Sequence, residues 1–130
     1  MVGEKGEEYV YEFERNKLIK SGRQDLAQKI VMQCQDLSSY PGYDILSYTI
    51  DGDEMFIEVK STKTKKKEFF EISSNEVEAA NKYGDSYYIY HVTNTLNDPK
   101  IANIFQNPIQ LSEQEKASIR PFMYKFNFLS

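Results

Sequence analysis

Ile57-Glu58-Val59-Lys60 sets a carboxylate and an amine one residue apart in a run that is otherwise apolar. In a strand, side chains two residues apart point to the same face, so Glu58 and Lys60 would stand side by side. Burying such a pair on an interior strand is costly without partners. Upstream, Gly42-Tyr43-Asp44-Ile45 puts a second carboxylate at the start of a β-rich run, just after a turn. A third acidic feature, Glu7 and Glu8, lies near the N-terminus. Each residue alone has an ordinary explanation: Asp44 as a turn residue, Glu58 and Lys60 as a weak surface ion pair, Glu7 and Glu8 as acids favoured near the positive end of a helix. Their order and spacing together point to chemistry.

Several elements must position these groups. Val10, Phe13, Leu18 and Ile19 form a broad helical stripe that predicts a helix over Glu4–Lys20, stopped by Ser21-Gly22. A short helical piece follows near Gln24–Gln28. Ile30, Met32 and Cys34 alternate as in a strand, and Leu37–Gly42 reads as a loop. Tyr43–Ile50 and Glu54–Ser61 form a hairpin around Asp51-Gly52-Asp53. A two-residue turn would put Asp44 on the face opposite Glu58 and Lys60. The spacing therefore predicts a three-residue loop, Asp51–Asp53 with Gly52 left-handed, which sets Asp44 opposite Lys60, or else a break in the strand at Asp44. Glu68–Ile72 reads as a strand, and Ser73 or Ser74 caps a helix through Tyr83. Ser86–Thr93 is apolar and aromatic almost throughout and predicts a strand buried on both faces. Ile101–Phe105 reads as a strand, Pro108 as a turn or edge, Ser112–Glu115 as a capping box opening a short helix, and Phe122–Leu129 as a weakly alternating last strand. This order predicts an α/β fold, a mixed sheet flanked by helices.

Asp44, a short hairpin and then Glu58-Val59-Lys60 resemble the PD-(D/E)XK nuclease signature. Further pieces are Gly3–Glu7 with Val10, Pro41–Ile45, Ile57–Ser61, Phe70–Ser73 leading to Asn75-Glu76, and Tyr87–Tyr90 with Val92. With these, the chain resembles more closely the domain family named after the C-terminal region of the plant NO VEIN protein, over about Gly3–Thr93. That resemblance implies a restriction-endonuclease-like fold of the Mrr type and a Mg2+- or Mn2+-dependent (deoxy)ribonuclease acting on nucleic acid, DNA foremost. It implies that Asp44, Glu58 and the Val59 carbonyl hold the metal, with Lys60 orienting water or steadying the phosphate. Glu7 would be the acid from the first helix, with Glu8 as its substitute. Asn75 and Glu76 would support the site, and Lys63, Lys65, Lys66 and Lys67 would meet the nucleic-acid backbone. It also implies a fused or associated helicase or restriction-type module. The same fold without turnover, as a nucleic-acid-binding or docking module, is the alternative.

The chain of 130 residues reads as one domain, with a core over 3–93 and a C-terminal extension over 94–130, either whole or as part of a longer chain. Its net charge of −4 argues against nucleic-acid binding by bulk charge alone. No apolar run is long enough for a membrane span. A single cysteine excludes an internal disulfide and a cysteine-rich zinc site, and fits a reducing, cytoplasmic setting. His91, the single histidine, reads as structural, and Cys34 as core. A homodimer is a further expectation of the nuclease resemblance, although no helix shows a self-complementary face.

Overall fold

The computed structural model describes residues 2–33, 40–63, 69–120 and 126–128. The first helix, α1, spans Val2–Lys20. Its fully buried positions Val10, Glu14 and Leu18 recur every four residues, the spacing of one helix face. A single turn, α2 (Gln24–Ala27), folds back so that Leu26 and Ala27 pack on Leu18.

Five strands form one sheet in sequence order: β1 (Val31–Met32), β2 (Ile45–Tyr48), β3 (Glu54–Ser61), β4 (Tyr87–Thr93) and β5 (Lys100–Gln106). Neighbours are antiparallel except β3 and β4, which run parallel. A parallel pair needs a crossover, and helix α3 (Ser74–Tyr83) lies in that connection, followed by a 3-10 turn over Gly84–Ser86. The mixed α/β architecture read from the sequence is therefore the one found. β4 is enclosed between β3 and β5 and buried at nearly every position, as its composition implies.

Alternation along β3 divides the core in two. Met55, Ile57 and Val59 pack with Val10 of α1, together with Ile45, Tyr90 and Val92. Phe56 lies on the other face, stacked on Tyr83 of α3 at 3.8 Å between ring centroids, and Ala79 and Ala80 pack there on Tyr43, Tyr87 and Ile89. Burying one side chain such as Ile57 stabilises the fold by ~1.5–3 kcal/mol. By the same alternation Glu58 and Lys60 face α3.

The hairpin is closed by three residues, Ile50-Asp51-Gly52. The Thr49 N–H donates to the Asp53 carbonyl at 2.8 Å, and the Gly52 N–H to the Thr49 carbonyl at 2.9 Å. Gly52 is left-handed, with φ +95°. The loop thus has the expected length and glycine conformation but starts one residue earlier than Asp51. That shift turns the register so that Ile45 pairs with Ile57, which directs Asp44 toward Glu58 rather than Lys60. Parity is preserved, so all three still share a face.

Other expectations change. Phe69–Ile72 forms no strand, and Glu68 lies outside the described residues. Phe70 and Ile72 alternate because they pack on the α3-side core. Pro108 opens a helix instead of marking an edge: α4 spans Pro108–Glu113, capped by Asn107, whose side-chain oxygen accepts from the Gln110 N–H at 3.1 Å. Proline is well placed at a first helical position, where its missing N–H costs nothing. The Ser112–Glu115 pattern therefore falls at a helix end, and Glu115 has φ +60°. Residues 126–128 are not in a strand, and the rest of Phe122–Leu129 lies outside the described residues, as does Cys34.

Candidate functional site

The cleft exists because β2 is short. Ile45 is its first residue and pairs with Ile57, so β3 continues through Glu58–Ser61 with no β2 residue beside it, while β4 stays paired on the other side. The strand breaks at Asp44, as the alternative expectation had it. The Asp44 N–H donates to the Ile57 carbonyl at 2.8 Å, and Asp44 Oδ2 accepts the Val59 N–H at 2.8 Å. A carboxylate thus takes the place of a ladder carbonyl, which seats Asp44 within the sheet edge although it is only 4% exposed.

Gly42 makes that seat reachable. It has φ +88°, and a Cβ there would lie 2.6 Å from the Asn75 carbonyl oxygen and 2.7 Å from Ala79 Cβ. Only glycine lets this loop press on α3. The Tyr87 hydroxyl donates to the Gly42 carbonyl at 2.8 Å and fixes the loop to β4.

The start of α3 supplies the next group. Ser73 Oγ accepts the Glu76 N–H at 3.2 Å and Glu76 Oε1 accepts the Ser73 N–H at 3.0 Å, a reciprocal capping box. The same Glu76 Oε1 accepts from Lys60 Nζ at 2.7 Å, and Lys60 Nζ lies 3.5 Å from Glu58 Oε2. Glu58 is 4% exposed. The Tyr40 hydroxyl lies 2.5 Å from Glu58 Oε1 and 2.9 Å from Glu76 Oε2, bridging the two carboxyl groups.

A pocket of about 340 Å3 opens over these groups, and Glu7 and Asn75 complete its wall. Glu7 reaches it from α1 because Gly6 packs directly on the end of β3, where a Cβ would overlap the Ser61 hydroxyl. Glu8, the substitute, is exposed and outside the wall.

Glu58 and Glu76 thus share one amine, that of Lys60, and Asp44 lines the same pocket. Burial first, then the negative charges of Asp44 and Glu76, push the Glu58 carboxyl up to about 10, and Lys60 and Tyr40 offset this only in part. Burial works to raise Glu76 as well, but its bonds to Lys60 and the Ser73 N–H hold it below the usual carboxylate range. Burial works to lower Lys60, yet Glu58 and Glu76 keep its amine above the ordinary value. Burial and the charge of Glu58 hold the Tyr40 hydroxyl protonated well past its ordinary range.

Family comparison agrees with this outline. The family model described as Protein NO VEIN, C-terminal matches residues 6–104. The chain belongs to that family. The match takes in every site residue above, begins within α1, spans β1 to β4 and α3, and ends within β5. Protein NO VEIN of Arabidopsis thaliana is 31% identical over 113 residues, 87% of this chain and 4% of that protein. Protein NO VEIN-LIKE of the same plant is 34% identical over 90 residues, 69% of this chain and 13% of that protein. The chain therefore spans a small part of the NO VEIN relatives it matches. No solved structure matches.

Of the residues singled out in this NO VEIN-type domain by sequence, Glu7, Asp44, Glu58, Val59, Lys60, Asn75 and Glu76 come together. Lys63 is exposed beyond the pocket, and Lys65, Lys66 and Lys67 lie outside the described residues. His91 is buried beside Phe70, and its Nε2 has no hydrogen-bond partner among the described residues. No helix among the described residues is long and apolar enough to cross a membrane. Two features were not read from the sequence. Tyr40 sat in a stretch read only as loop, and its partners are 18 and 36 residues away. Glu14, wholly buried on the other face of the sheet, did carry a signal: it lies midway between Val10 and Leu18 at four-residue spacing.

The donor set fits a hard cation. No three or more His, Cys, Asp and Glu side chains among the described residues form a metal cage by themselves. A cation here would rest on Asp44, Glu58, the Val59 carbonyl and solvent or phosphate oxygens, the sparse protein contribution typical of Mg2+.

Proposed function

We propose that this domain is a PD-(D/E)XK-type, Mg2+- or Mn2+-dependent phosphodiesterase acting on nucleic acid, DNA foremost, in a reducing, cytoplasmic setting. The observation that carries the reading is the gathering of carboxyl groups in one cleft: Asp44, Glu58 and Glu76 line it at the point where β2 stops, Glu7 arrives from α1, and Lys60 pairs with Glu58 and Glu76. Such a set of hard oxygen donors suits a divalent cation. When bound, the cation would activate water and neutralise phosphate charge. Asp44 and Glu58 would hold it with the Val59 carbonyl. Lys60, released from Glu58 and Glu76, would steady the negative charge that develops on the phosphate. Glu76 and Asn75 would align Lys60 and the incoming backbone, Lys63 would meet phosphates alongside Lys65, Lys66 and Lys67, and Glu7 would complete the polar wall. A homodimer, or a fused or associated helicase or restriction-type module, would supply the rest of the DNA contact, in keeping with the small share of its relatives that this chain spans.

The test is calorimetric titration of Mg2+ and Mn2+ into the full chain and into Asp44→Ala, followed by a plasmid and oligonucleotide cleavage screen. Binding lost in the variant, with metal-dependent cleavage by wild type, supports the reading; no binding at millimolar metal with an oligonucleotide present removes it. The alternative, a silent nucleic-acid-binding or docking module, draws on the pairing of Lys60 with both Glu58 and Glu76 and on the net charge of −4. It predicts nucleic-acid retention that Asp44→Ala leaves intact and no cleavage.

A further inference from the structure

The metal reading leaves Tyr40 unexplained. Its hydroxyl is set where a cation would meet Glu58: it contacts Glu58 Oε1 at 2.5 Å and Glu76 Oε2 at 2.9 Å, and the side chain forms part of the pocket wall. With Lys60 against Glu58 Oε2 at 3.5 Å, both Glu58 oxygens are engaged from within the protein. Asp44 likewise spends Oδ2 on the Val59 N–H. Tyr40 differs from these partners. Asp44 and Val59 belong to the sheet edge and Lys60 to β3, whereas Tyr40 lies four residues before Asp44, outside any helix or strand, and only its side chain need turn to leave.

We propose that Tyr40 is an internal competitor for the cation: its hydroxyl occupies the Glu58 carboxyl and ties it to Glu76 until a divalent cation displaces it. The inference rests on the metal-site reading above. Tyr40 is a positioning residue and contributes no bond to the cation. It keeps the Glu58 and Glu76 carboxyl groups a fixed distance apart while the pocket holds no cation, and its removal frees the oxygen that binding needs. A hydroxyl that must be displaced before the cation reaches Glu58 weakens binding by about tenfold, equivalent to about 1.4 kcal/mol.

The experiment uses the full chain and the metal alone. Mg2+ is titrated calorimetrically into wild type, Tyr40→Phe and Asp44→Ala, and the ring-carbon NMR signal of Tyr40, assigned by its loss in Tyr40→Phe, is followed in wild type and Asp44→Ala. The expected result is a dissociation constant about tenfold lower in Tyr40→Phe. The wild-type Tyr40 signal should also move on saturation with Mg2+, and not in Asp44→Ala. A purely structural tyrosine would not tighten binding when its hydroxyl is removed. If wild type binds, Asp44→Ala does not, and Tyr40→Phe binds equally or more weakly with the Tyr40 signal unmoved, the competitor role is overturned and the metal site stands. If neither wild type nor Tyr40→Phe binds, the metal site itself falls, and the competitor with it.

Discussion

Two buried acids face opposite sides of the same sheet, and they are treated in opposite ways. On the α1 side, Glu14 has no solvent exposure and a full set of donors. Oε1 accepts from Lys17 Nζ at 2.6 Å and from Ser47 Oγ at 2.8 Å, and Oε2 accepts from the Tyr90 hydroxyl at 2.7 Å. On the α3 side, Glu58 is almost as buried, yet two other carboxyl groups crowd it, one lysine is shared between it and Glu76, and a pocket lies open above. Both burials carry a desolvation cost. The first is met by donors alone; the second is met by Tyr40 and a shared lysine with two acids pressed beside it. A buried carboxylate ringed by donors is a structural fastening; one crowded by other acids beside an opening has the character of a ligand site.

Breaking the fastening should have the largest effect. Glu14→Ala strands the Tyr90 hydroxyl and Ser47 and takes the carboxylate from Lys17, which keeps only the Tyr48 carbonyl and the Met55 sulfur; it should cost ~3–5 kcal/mol in urea denaturation. If Glu14→Ala unfolds no more readily than wild type, the contrast between the two acids fails. Asp44→Ala should act the other way round: Mg2+ affinity falls at least ~100-fold by calorimetry, while the urea midpoint falls less than in Glu14→Ala, because relief of a crowded acid group offsets part of the cost of leaving the Val59 N–H without its acceptor.

A subtler comparison uses pH, in buffer with a chelator. In the folded chain Glu58 keeps its proton up to about 10, against an ordinary value of 4.5. The unfolded chain releases that proton near the ordinary value. The stability it contributes is thus fully present below 4.5 and drains away as pH rises toward 10. Glu58→Gln has no proton to lose, so it should match wild type at acid pH and exceed it by ~2 kcal/mol at pH 9. A gap between the two that does not grow with pH would show that Glu58 is not held neutral. The smallest effect should come from Ser73→Ala, which removes the cap of α3 and one support of Glu76. It should lower stability by ~1 kcal/mol, and that loss should simply add to the loss in Glu14→Ala when the two are combined, since they lie on opposite faces.

Much of this contrast was legible in the sequence, and unequally so. Period-two alternation through Met55–Lys60 assigned Glu58 and Lys60 to one face, and hairpin parity carried Asp44 to the same face even though the loop began a residue early. Alternation misled at Phe70 and Ile72, where two side chains reach the α3-side core from a segment that is in no strand. A capping pattern misled at Ser112, because Asn107-Pro108 had already started the helix. Tyr40 was invisible for a different reason. Its role depends on contacts with β3 and α3, and nothing in the neighbouring residues records them. Glu14 was recoverable: a charge inside the Val10–Leu18 stripe announces a buried acid, and with it the need for donors from β2 and β4.

Val59 belongs to both regions at once. Its side chain lies in the α1-side core with Val10 and Ile57, while its N–H is committed to Asp44. Anything that resizes that core, such as Val10→Ala, will pull on the backbone at the rim of the cleft. Robustness and the shape of the cleft therefore cannot drift independently in this domain. Selection for a tighter interior on one side would be registered as retuning on the other, through a single peptide unit.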